Sequence, residues 1–183
     1  MKELSLLKIL NQDLIRLNHP SVEDNEGGNI SFLKALNPRF IPLIIIRVSA
    51  SLYKKPMLRI FAHILTWLNI IIFGIESTPR CKIGPGLVIP HSSGTVIGAS
   101  VIGKNVTIFQ GVTLGAQEVN MIFDPKTRPK IGDNVVIGAG SVVLGSINVG
   151  SNVVIGANSV VLKDVPKSVV IAGNPAKIIK KAT

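Results

Sequence analysis

Residues 131–163 read IGDNVVIGAGSVVLGSINVGSNVVIGANSVVLK. An aliphatic residue recurs every six positions, usually followed by a small one; the aliphatic positions are Ile131, Ile137, Val143, Val149, Ile155 and Val161. An α-helix repeats every 3.6 residues and a flat strand every two, so neither produces a strict period of six. A coil of short strands does, because the aliphatic side chain points inward and a Gly or Asn turns each corner with a positive φ. The stretch therefore predicts a parallel β-helix.

The same phase continues upstream, with one extra residue in the corner near Val96. The inward positions there are Ile83, Ile89, Ile102, Ile108 and Leu114. The rhythm stops over residues 116–130, where polar residues and prolines replace it. Because insertions in a solenoid commonly serve binding, we expect a protruding binding loop at this point, and a tolerated surface insertion is the alternative. The predicted β-helix covers residues 76–163, and a C-terminal tail follows at 164–183.

Residues 1–75 are predicted to form a helical segment. An amphipathic pattern covers residues 2–18, a second helix begins near Pro42, and a third runs from about 57 to 73. The uncharged run 60–75 is sixteen residues long, short of the roughly twenty that a membrane span requires. Two interpretations remain open: burial of the third helix in an oligomer core, which we favour, and peripheral contact with a membrane surface through its basic flanks.

Composition narrows the class of protein. The 183 residues are 46% hydrophobic, enough to bury a core, and 20 Lys and Arg against 10 acids give a formal charge of +10. Such a charge favours a polyanionic partner: nucleic acid, an anionic membrane or a phosphate-rich cofactor. Only 4% of residues are aromatic and no nucleic-acid-binding motif appears, so we expect no nucleic acid.

The single cysteine, Cys81, excludes an internal disulfide, and its expected role is packing. One cysteine suits a reducing compartment, and acidic residues near the N-terminus do not fit a signal peptide. We therefore expect a cytoplasmic location, with attachment at the inner face of the membrane as a variant of it.

The motif VIPHSSG, residues 88–94, places His91 two residues past the inward Ile89 and beside small residues. Histidine is the side chain best suited to remove a proton from a hydroxyl group near neutral pH. Taken alone, a histidine on a turn is usually only solvated. That interpretation also serves for His19 and His63.

Three segments carry a family resemblance: VIPHSSGTVIG, the TIFQGVTLGAQ that follows it, and the ending DVPKSVVIAGNPAKI. With the six-residue repeat, they resemble the hexapeptide-repeat acyltransferases. Within that family the chain is similar to the serine acetyltransferase branch, which includes enzymes of bacterial polysaccharide biosynthesis. The likeness is close from residue 74 onward and looser over the helices. It implies a left-handed β-helix, an exception to the right-handed crossover rule. It also implies a homotrimer or a dimer of trimers, active sites between neighbouring prisms, acetyl-CoA as acetyl donor and no metal.

The resemblance also implies roles for individual residues. The family's catalytic histidine falls on His91 and its partner carboxylate on Glu76, so His91 would take the proton of the acceptor hydroxyl as its oxygen attacks the thioester. Ser92 and Arg128 are the implied acceptor contacts. The implied coenzyme contacts are Gly115, whose backbone would hold the oxyanion, the small residues Ala139 and Ala157, and Ser141, Lys163 and Lys177.

Three positions depart from the family pattern. Pro90 stands where serine acetyltransferases carry Asp, and Thr127-Arg128 stands where they carry Arg-His. Their L-G-G-T reads Leu114-Gly115-Ala116-Gln117. The first two changes remove groups that help to hold an amino acid. We therefore expect an acetyl-CoA-dependent O-acetyltransferase acting on a sugar hydroxyl in exopolysaccharide or surface polysaccharide biosynthesis. The alternatives are a serine O-acetyltransferase of cysteine biosynthesis and a catalytically silent trimeric β-helix scaffold.

Overall fold

A computed structural model describes residues 4–18, 37–118 and 123–182. Helices occupy the N-terminal part: α1 (Leu6–Asn18), α2 (Ile41–Tyr53) and α3 (Arg59–Phe73), with a 3-10 turn at Pro56–Leu58 between the last two. His19 and residues 119–122 of the predicted loop lie outside the described residues.

From residue 75 onward the chain winds through three parallel sheets, which we call faces 1, 2 and 3 in the order the chain visits them. Face 1 contains β1 (Ile75–Ser77), β3 (Thr95–Ile97), β6 (Thr113–Gly115), β9 (Val142–Leu144) and β12 (Val160–Val161). Face 2 contains β2 (Lys82–Ile83), β4 (Val101–Ile102), β7 (Lys130–Ile131) and β10 (Asn148–Val149). Face 3 contains β5 (Thr107–Ile108), β8 (Val136–Ile137), β11 (Val154–Ile155) and β13 (Val169–Ala172), and β14 (Lys177–Lys181) pairs antiparallel with β13.

The register follows the six-residue repeat. Val142 pairs with Val160 and Ile137 with Ile155, so one full coil takes three repeats. Every aliphatic position of the 131–163 repeat is at most 2% exposed. Burial of each such side chain stabilises the fold by about 1.5–3 kcal/mol relative to exposure. The stacked aliphatic side chains are therefore the core of the prism, and the predicted β-helix is confirmed.

The corners differ from the expectation in one respect. The glycine after each inward aliphatic residue does not supply the positive φ; that conformation falls two residues later, at Asn134 (φ 56°) and Asn152 (φ 58°). Gly132 is needed for close stacking instead, because a Cβ there would stand 2.7 Å from the backbone N of Ser151 and 2.8 Å from the carbonyl carbon of Gly150. Asparagine tolerates the left-handed conformation better than most residues.

The extra residue near Val96 also has a more specific origin. Eight positions separate Val88 from Val96, whereas six separate Thr107 from Thr113, with which they are paired. The next corner is short, since Val96 to Val101 is five positions, whereas the equivalent step from Val142 to Asn148 is six. The corner before β3 is therefore two residues longer than its equivalents, and it carries His91.

The helices close the open first coil through a buried ion pair. Arg47 of α2 binds both carboxylate oxygens of Asp13 of α1, at 2.8 Å and 3.0 Å. The same guanidinium donates to the carbonyls of Ile83 and Gly84, each at 2.6 Å, and Asp13 accepts from the backbone N of Leu87 at 2.9 Å. This network satisfies backbone groups that the first coil cannot pair with a preceding coil.

Helix α3 turns its polar side inward. Asn69 is fully buried and donates to the carbonyl of Pro42 at 3.2 Å, and the Thr66 hydroxyl lies 3.1 Å from that of Ser49. The outward side of the helix exposes Ile60, Phe61, Ile64, Trp67, Leu68, Ile70, Ile71 and Ile72, and Met57 of the preceding turn is exposed as well. The described part of the protomer leaves this side uncovered, and burial of the helix in an oligomer core stays a prediction.

By length and composition, Pro56–Phe73 is long and apolar enough to cross a membrane, with 18 residues at a mean hydropathy of 1.6. The uncharged run counted in the sequence begins at Ile60, after the charged Arg59, and is therefore shorter at its N-terminal end than this helical span, which includes Arg59. A core helix of a soluble protein passes the same test, so this property alone does not place the helix in a membrane.

Candidate functional site

The predicted site residues fall on two edges of the prism. On the edge between faces 3 and 1, which we call edge 31, lie His91, Ser92, Ala139 and Ala157, and Lys177 pairs with Ala172 at the same edge. On the edge between faces 1 and 2, which we call edge 12, lie Gly115 and Lys163. Glu76 is the middle residue of β1 and is exposed on face 1, between the two edges. One protomer therefore presents the predicted residues as two separate groups.

His91 is exposed at the tip of the long corner on edge 31. The base of that corner is held by backbone bonds, from Gly94 N to the carbonyl of Gly74 and from Gly111 N to the carbonyl of Ser93, both at 3.0 Å. A histidine on a lengthened but anchored corner projects beyond the neighbouring coils. Such a position gives the ring access to a ligand lying along the edge.

No hydrogen bond or ion pair joins the side chains of His91 and Glu76, or joins either side chain to another of the described residues. The carboxylate contact that the resemblance implies is therefore not formed in the protomer. Ser92 is half-buried beside His91, and its backbone carbonyl accepts from Thr95 N at 3.3 Å.

The small residues of edge 31 have a packing reason. A Cβ on Gly138 would stand 2.5 Å from the backbone N of Ala157, so successive coils approach closely here. Ala139 is half-buried and Ala157 is exposed. A flat ridge of small side chains leaves room for an extended molecule. The close stacking of the coils is by itself also a sufficient reason for small residues at these positions.

Ser141 requires a correction. It is fully buried, and its hydroxyl donates to the carbonyl of Gly156 at 2.8 Å and lies 3.4 Å from the backbone N of Ser159. This side chain binds the next coil and cannot reach a coenzyme on the surface. Lys163 and Lys177, by contrast, are both exposed.

On edge 12, Arg128 lies beside Gly115. Its Nη1 donates to the carbonyl of Gly98 at 2.9 Å. A Cβ on Gly98 would stand 2.7 Å from that Nη1 and 3.8 Å from the Cα of Gly115. Arg128 thus brings a positive charge to the predicted oxyanion position. Ala116 is not among the described residues with positive φ, so its replacement of the family's glycine brings no such strain.

Cys81 is buried beneath edge 12. Burial raises the pKa of its thiol to about 12, an effect that the positive charges of Arg47 and Arg128 partly offset. A thiol of this kind stays protonated and packs as a small apolar side chain. Within the described ranges, no three His, Cys, Asp or Glu side chains gather where they could hold a metal ion.

Residues 128–163 match the family model for the bacterial transferase hexapeptide (six repeats). The chain is 43% identical over 160 residues to a serine acetyltransferase of Helicobacter pylori, an alignment that covers 87% of this chain and 91% of that protein. The chain belongs to the serine acetyltransferase family. This membership confirms the left-handed β-helix with an N-terminal helical segment, and it confirms the acyltransferase class.

Other relatives are longer. The chain is 50% identical over 108 residues to a chloroplastic serine acetyltransferase of Arabidopsis thaliana. That alignment covers 58% of this chain and 33% of the plant protein. It spans between a third and a half of the plant relatives. Among solved structures, a Neisseria gonorrhoeae serine acetyltransferase in complex with serine has a TM-score of 0.77 and 32% identity, covering 95% of this chain and 69% of that one. A serine acetyltransferase in complex with CoA has a TM-score of 0.78 and 30% identity, covering 96% and 70%.

The comparisons correct the predicted acceptor. Relatives at 36–50% identity are serine acetyltransferases, which overturns the assignment to a sugar hydroxyl in polysaccharide biosynthesis and favours the serine alternative. The sequence argument rested on two missing side chains, at Pro90 and Thr127. Arg128, one position along, leaves a cation available to a carboxylate, and the sequence argument gave this remaining contact too little weight.

Proposed function

We propose that this protein transfers the acetyl group of acetyl-CoA to the hydroxyl oxygen of L-serine. The observation that carries the proposal is the 43% identity to a serine acetyltransferase over 91% of that relative's length. Similarity to structures of serine acetyltransferases in complex with serine and with CoA supports both substrates.

His91 is proposed as the general base. It would accept the proton of the serine hydroxyl while that oxygen attacks the carbonyl carbon of the thioester; collapse of the tetrahedral species then expels the CoA thiolate, which takes up the proton. The exposed position of His91 on the longest edge 31 corner supports this role. Glu76 would orient the ring and stabilise the imidazolium once the ligands bring the two side chains together.

The remaining groups are assigned by edge. On edge 12, the backbone N–H groups near Gly115 would hold the oxyanion, Arg128 would pair with the serine carboxylate, and Lys163 would lie near coenzyme phosphates. On edge 31, Ser92 would contact the acceptor, Ala139 and Ala157 would flank the coenzyme's extended arm, and Lys177 would approach its phosphates.

A complete site requires a second chain. Since the base and the oxyanion group lie on different edges, we infer a homotrimer in which edge 31 of one prism faces edge 12 of the next. A cytoplasmic location fits a single reduced cysteine and the use of acetyl-CoA. Contact with the inner face of a membrane gains no support from the relatives and stays a prediction.

The proposed function is tested by measuring CoA thiol release with acetyl-CoA and L-serine. We expect kcat/KM for serine of about 10⁴ M⁻¹s⁻¹ or more, an ordinary enzyme value. D-serine and O-methyl-L-serine are matched controls, since one has the opposite configuration and the other has no hydroxyl to acetylate. Thiol release no faster with L-serine than without an acceptor would reject the proposal. The silent-scaffold alternative would be rejected by the rate expected here.

A further inference from the structure

Three arginines and two aromatic rings alternate from the junction of α2 and α3 to edge 12. We call this set the arginine ladder; in order it contains Arg59, Tyr53, Arg80, Phe123 and Arg128. The Cζ atoms of Arg59 and Arg80 lie 5.1 Å and 5.6 Å from the ring centroid of Tyr53. The Cζ atoms of Arg80 and Arg128 lie 5.9 Å and 4.6 Å from the ring centroid of Phe123. Arg80 therefore shares one ring with each of the other two arginines. The ladder joins the ends of α2 and α3, the first coil and the loop before β7.

Arg80 has unused donors. Its Nε donates to the Tyr53 hydroxyl at 2.7 Å, and its Nη1 and Nη2 have no hydrogen-bond partner among residues 4–18, 37–118 and 123–182. The side chain is exposed, so these two N–H-bearing nitrogens are open to a ligand. The Nε of Arg128 is buried without a partner. The described residues therefore leave donor groups on both arginines without a partner.

The ladder also has no counter-charge. In the described part of the chain one ion pair occurs, between Arg47 and Asp13, and neither residue belongs to the ladder. The carboxylate nearest to the ladder in sequence, Asp124, accepts from the backbone N of Lys126 at 2.9 Å. Contact with the ring faces stabilises each guanidinium without neutralising it. Three unneutralised cations linked through two rings produce a positive field that a bound anion would relieve.

We propose that the arginine ladder binds a phosphate-class oxyanion, with Arg80 as its principal ligand. The two free nitrogens of Arg80 form a planar fork that matches two oxygens of one oxyanion. The bond to Tyr53 fixes the fork before binding, so little side-chain entropy is lost. A carboxylate carries a single negative charge, whereas a phosphate dianion balances more of the ladder's charge.

The ladder shares Arg128 with the proposed serine contacts, but Arg59 and Arg80 belong to neither the serine contacts nor the coenzyme contacts. Along edge 12, Arg80 precedes Gly115 on the side of the helices, whereas Lys163 lies toward the C-terminal coils. The inference goes beyond the proposed function, because acetyl transfer to serine requires no phosphate on this side of Gly115. The anion is either free phosphate or a phosphate group on a larger molecule.

The test measures anion binding to the full chain by isothermal titration calorimetry and by ³¹P line broadening, without acetyl-CoA or serine. The probes are inorganic phosphate, glycerol 3-phosphate as a phosphomonoester, and acetate as a carboxylate. We expect saturable binding of both phosphates and much weaker binding of acetate. Equal affinity for the two phosphates identifies the free ion as sufficient, and tighter binding of the ester identifies a group on a larger molecule. Both results support a phosphate site.

Variants locate the site. Arg80→Gln removes the fork and should weaken phosphate binding roughly tenfold or more, the effect of losing a charged hydrogen bond. Lys82→Gln removes one positive charge two residues away on the same coil, outside the ladder, and should leave affinity unchanged. Arg80→Lys keeps the charge without the fork and should resemble Arg80→Gln. Tyr53→Phe keeps the ring, removes the bond to Nε and should weaken binding severalfold.

Three results would overturn the inference: acetate binding as tightly as phosphate, affinity unaffected by Arg80→Gln, or an equal loss in Lys82→Gln, which would indicate only diffuse attraction. If Arg80→Gln does not fold, Arg80→Lys and Tyr53→Phe decide the matter. Because no step of the test uses acetyl transfer, failure of the serine assay and failure of phosphate binding are separate results.

Discussion

His91 combines two properties that a general base on this fold needs. It is exposed, and it stands on a corner two residues longer than its equivalents, while backbone bonds from Gly94 and Gly111 keep the base of that corner in register. The bonds to the stacked coils hold the base of the corner rigid, and the two extra residues lengthen the corner that carries the ring. A base presented in this way needs only a ligand along the edge to come within hydrogen-bond distance of a hydroxyl group.

Replacement of His91 by Ala should lower kcat for serine acetylation by roughly 10²–10⁴-fold, because a general base acts in the transition state. Binding of acetyl-CoA should change little. His63→Ala is the matched control, since His63 is an exposed histidine on α3 whose ring contacts Tyr53. Steady-state kinetics of both variants check the prediction, and near wild-type turnover in the His91 variant would show that the base is another group. Glu76→Gln should have a smaller effect.

Cys81 should be unreactive in the folded protein. Burial raises the pKa of its thiol to about 12, and the nucleophile in thiol labelling is the thiolate. At pH 8 the native chain should therefore react with a thiol reagent far more slowly than the chain in denaturant, where the thiol has its ordinary pKa. Raising the pH from 7 to 9 should steadily increase the rate at which the unfolded chain is labelled, while labelling of the native chain stays low throughout. Prompt labelling of the native protein would show that Cys81 is accessible.

At the scale of single residues, the sequence predicted the positions that follow the six-residue repeat and missed the contacts that lie outside it. The inward aliphatic positions follow from the period of six, and all of them are buried except Ile83 of the first coil, which is half-buried. The two functions of the corner residues, close stacking at Gly132 and positive φ at Asn134, share one short motif and separate only when coils are stacked. Arg80 and Phe123 belong to no motif, since they meet through a loop whose path sequence does not specify.

Helices α1 and α2 owe their position to polar contacts as well as apolar ones. The Asp13–Arg47 pair is buried, and each partner also binds the backbone of the first coil. Arg16 adds bonds to the carbonyls of Gly86 and Val106. Local amphipathic patterns predicted that helices form here, but no local signal pairs positions 13 and 47. The open end of a β-helix must nevertheless be capped, since its first coil has unpaired backbone groups.

Asp13→Asn should destabilise the protein by about 3–5 kcal/mol, because it leaves the Arg47 guanidinium buried without its counter-charge. Glu118→Gln, a change of the same chemistry at an exposed position, should cost within about 0.5 kcal/mol. Chemical denaturation of the two variants beside the wild type gives both values. A cost below about 1 kcal/mol for Asp13→Asn would show that the helices dock by apolar contacts alone. Asp13→Leu combined with Arg47→Met is the informative double variant, since removing both charges should restore much of the loss.

Over the whole molecule, two features indicate that a single protomer forms neither a complete site nor a fully covered apolar surface. The proposed base and oxyanion group lie on different edges, and α3 exposes eight large apolar side chains. The period of an amphipathic helix reveals that two unlike sides exist, but not which one faces the prism. Here Thr66 and Asn69 bond to α2, so the apolar side remains outside. A soluble monomer rarely exposes an apolar surface of this extent.

Other copies of the chain should cover the apolar side of α3 in an oligomer, and the fluorescence of Trp67 can show whether that side is buried. Trp67 is the single tryptophan and is 67% exposed in the protomer. We expect light scattering to give three or six times the 19.5 kDa chain mass, with tryptophan emission blue-shifted and poorly quenched by iodide. Ile64→Asp on the same side of α3 should lower the mass or shift the emission to the red, while Lys104→Asp, on a prism corner, should do neither. The protein should also stay at the bottom of a flotation gradient with anionic vesicles. A 19.5 kDa monomer with quenchable emission would contradict assembly, and flotation with the vesicles would assign the surface to a membrane instead.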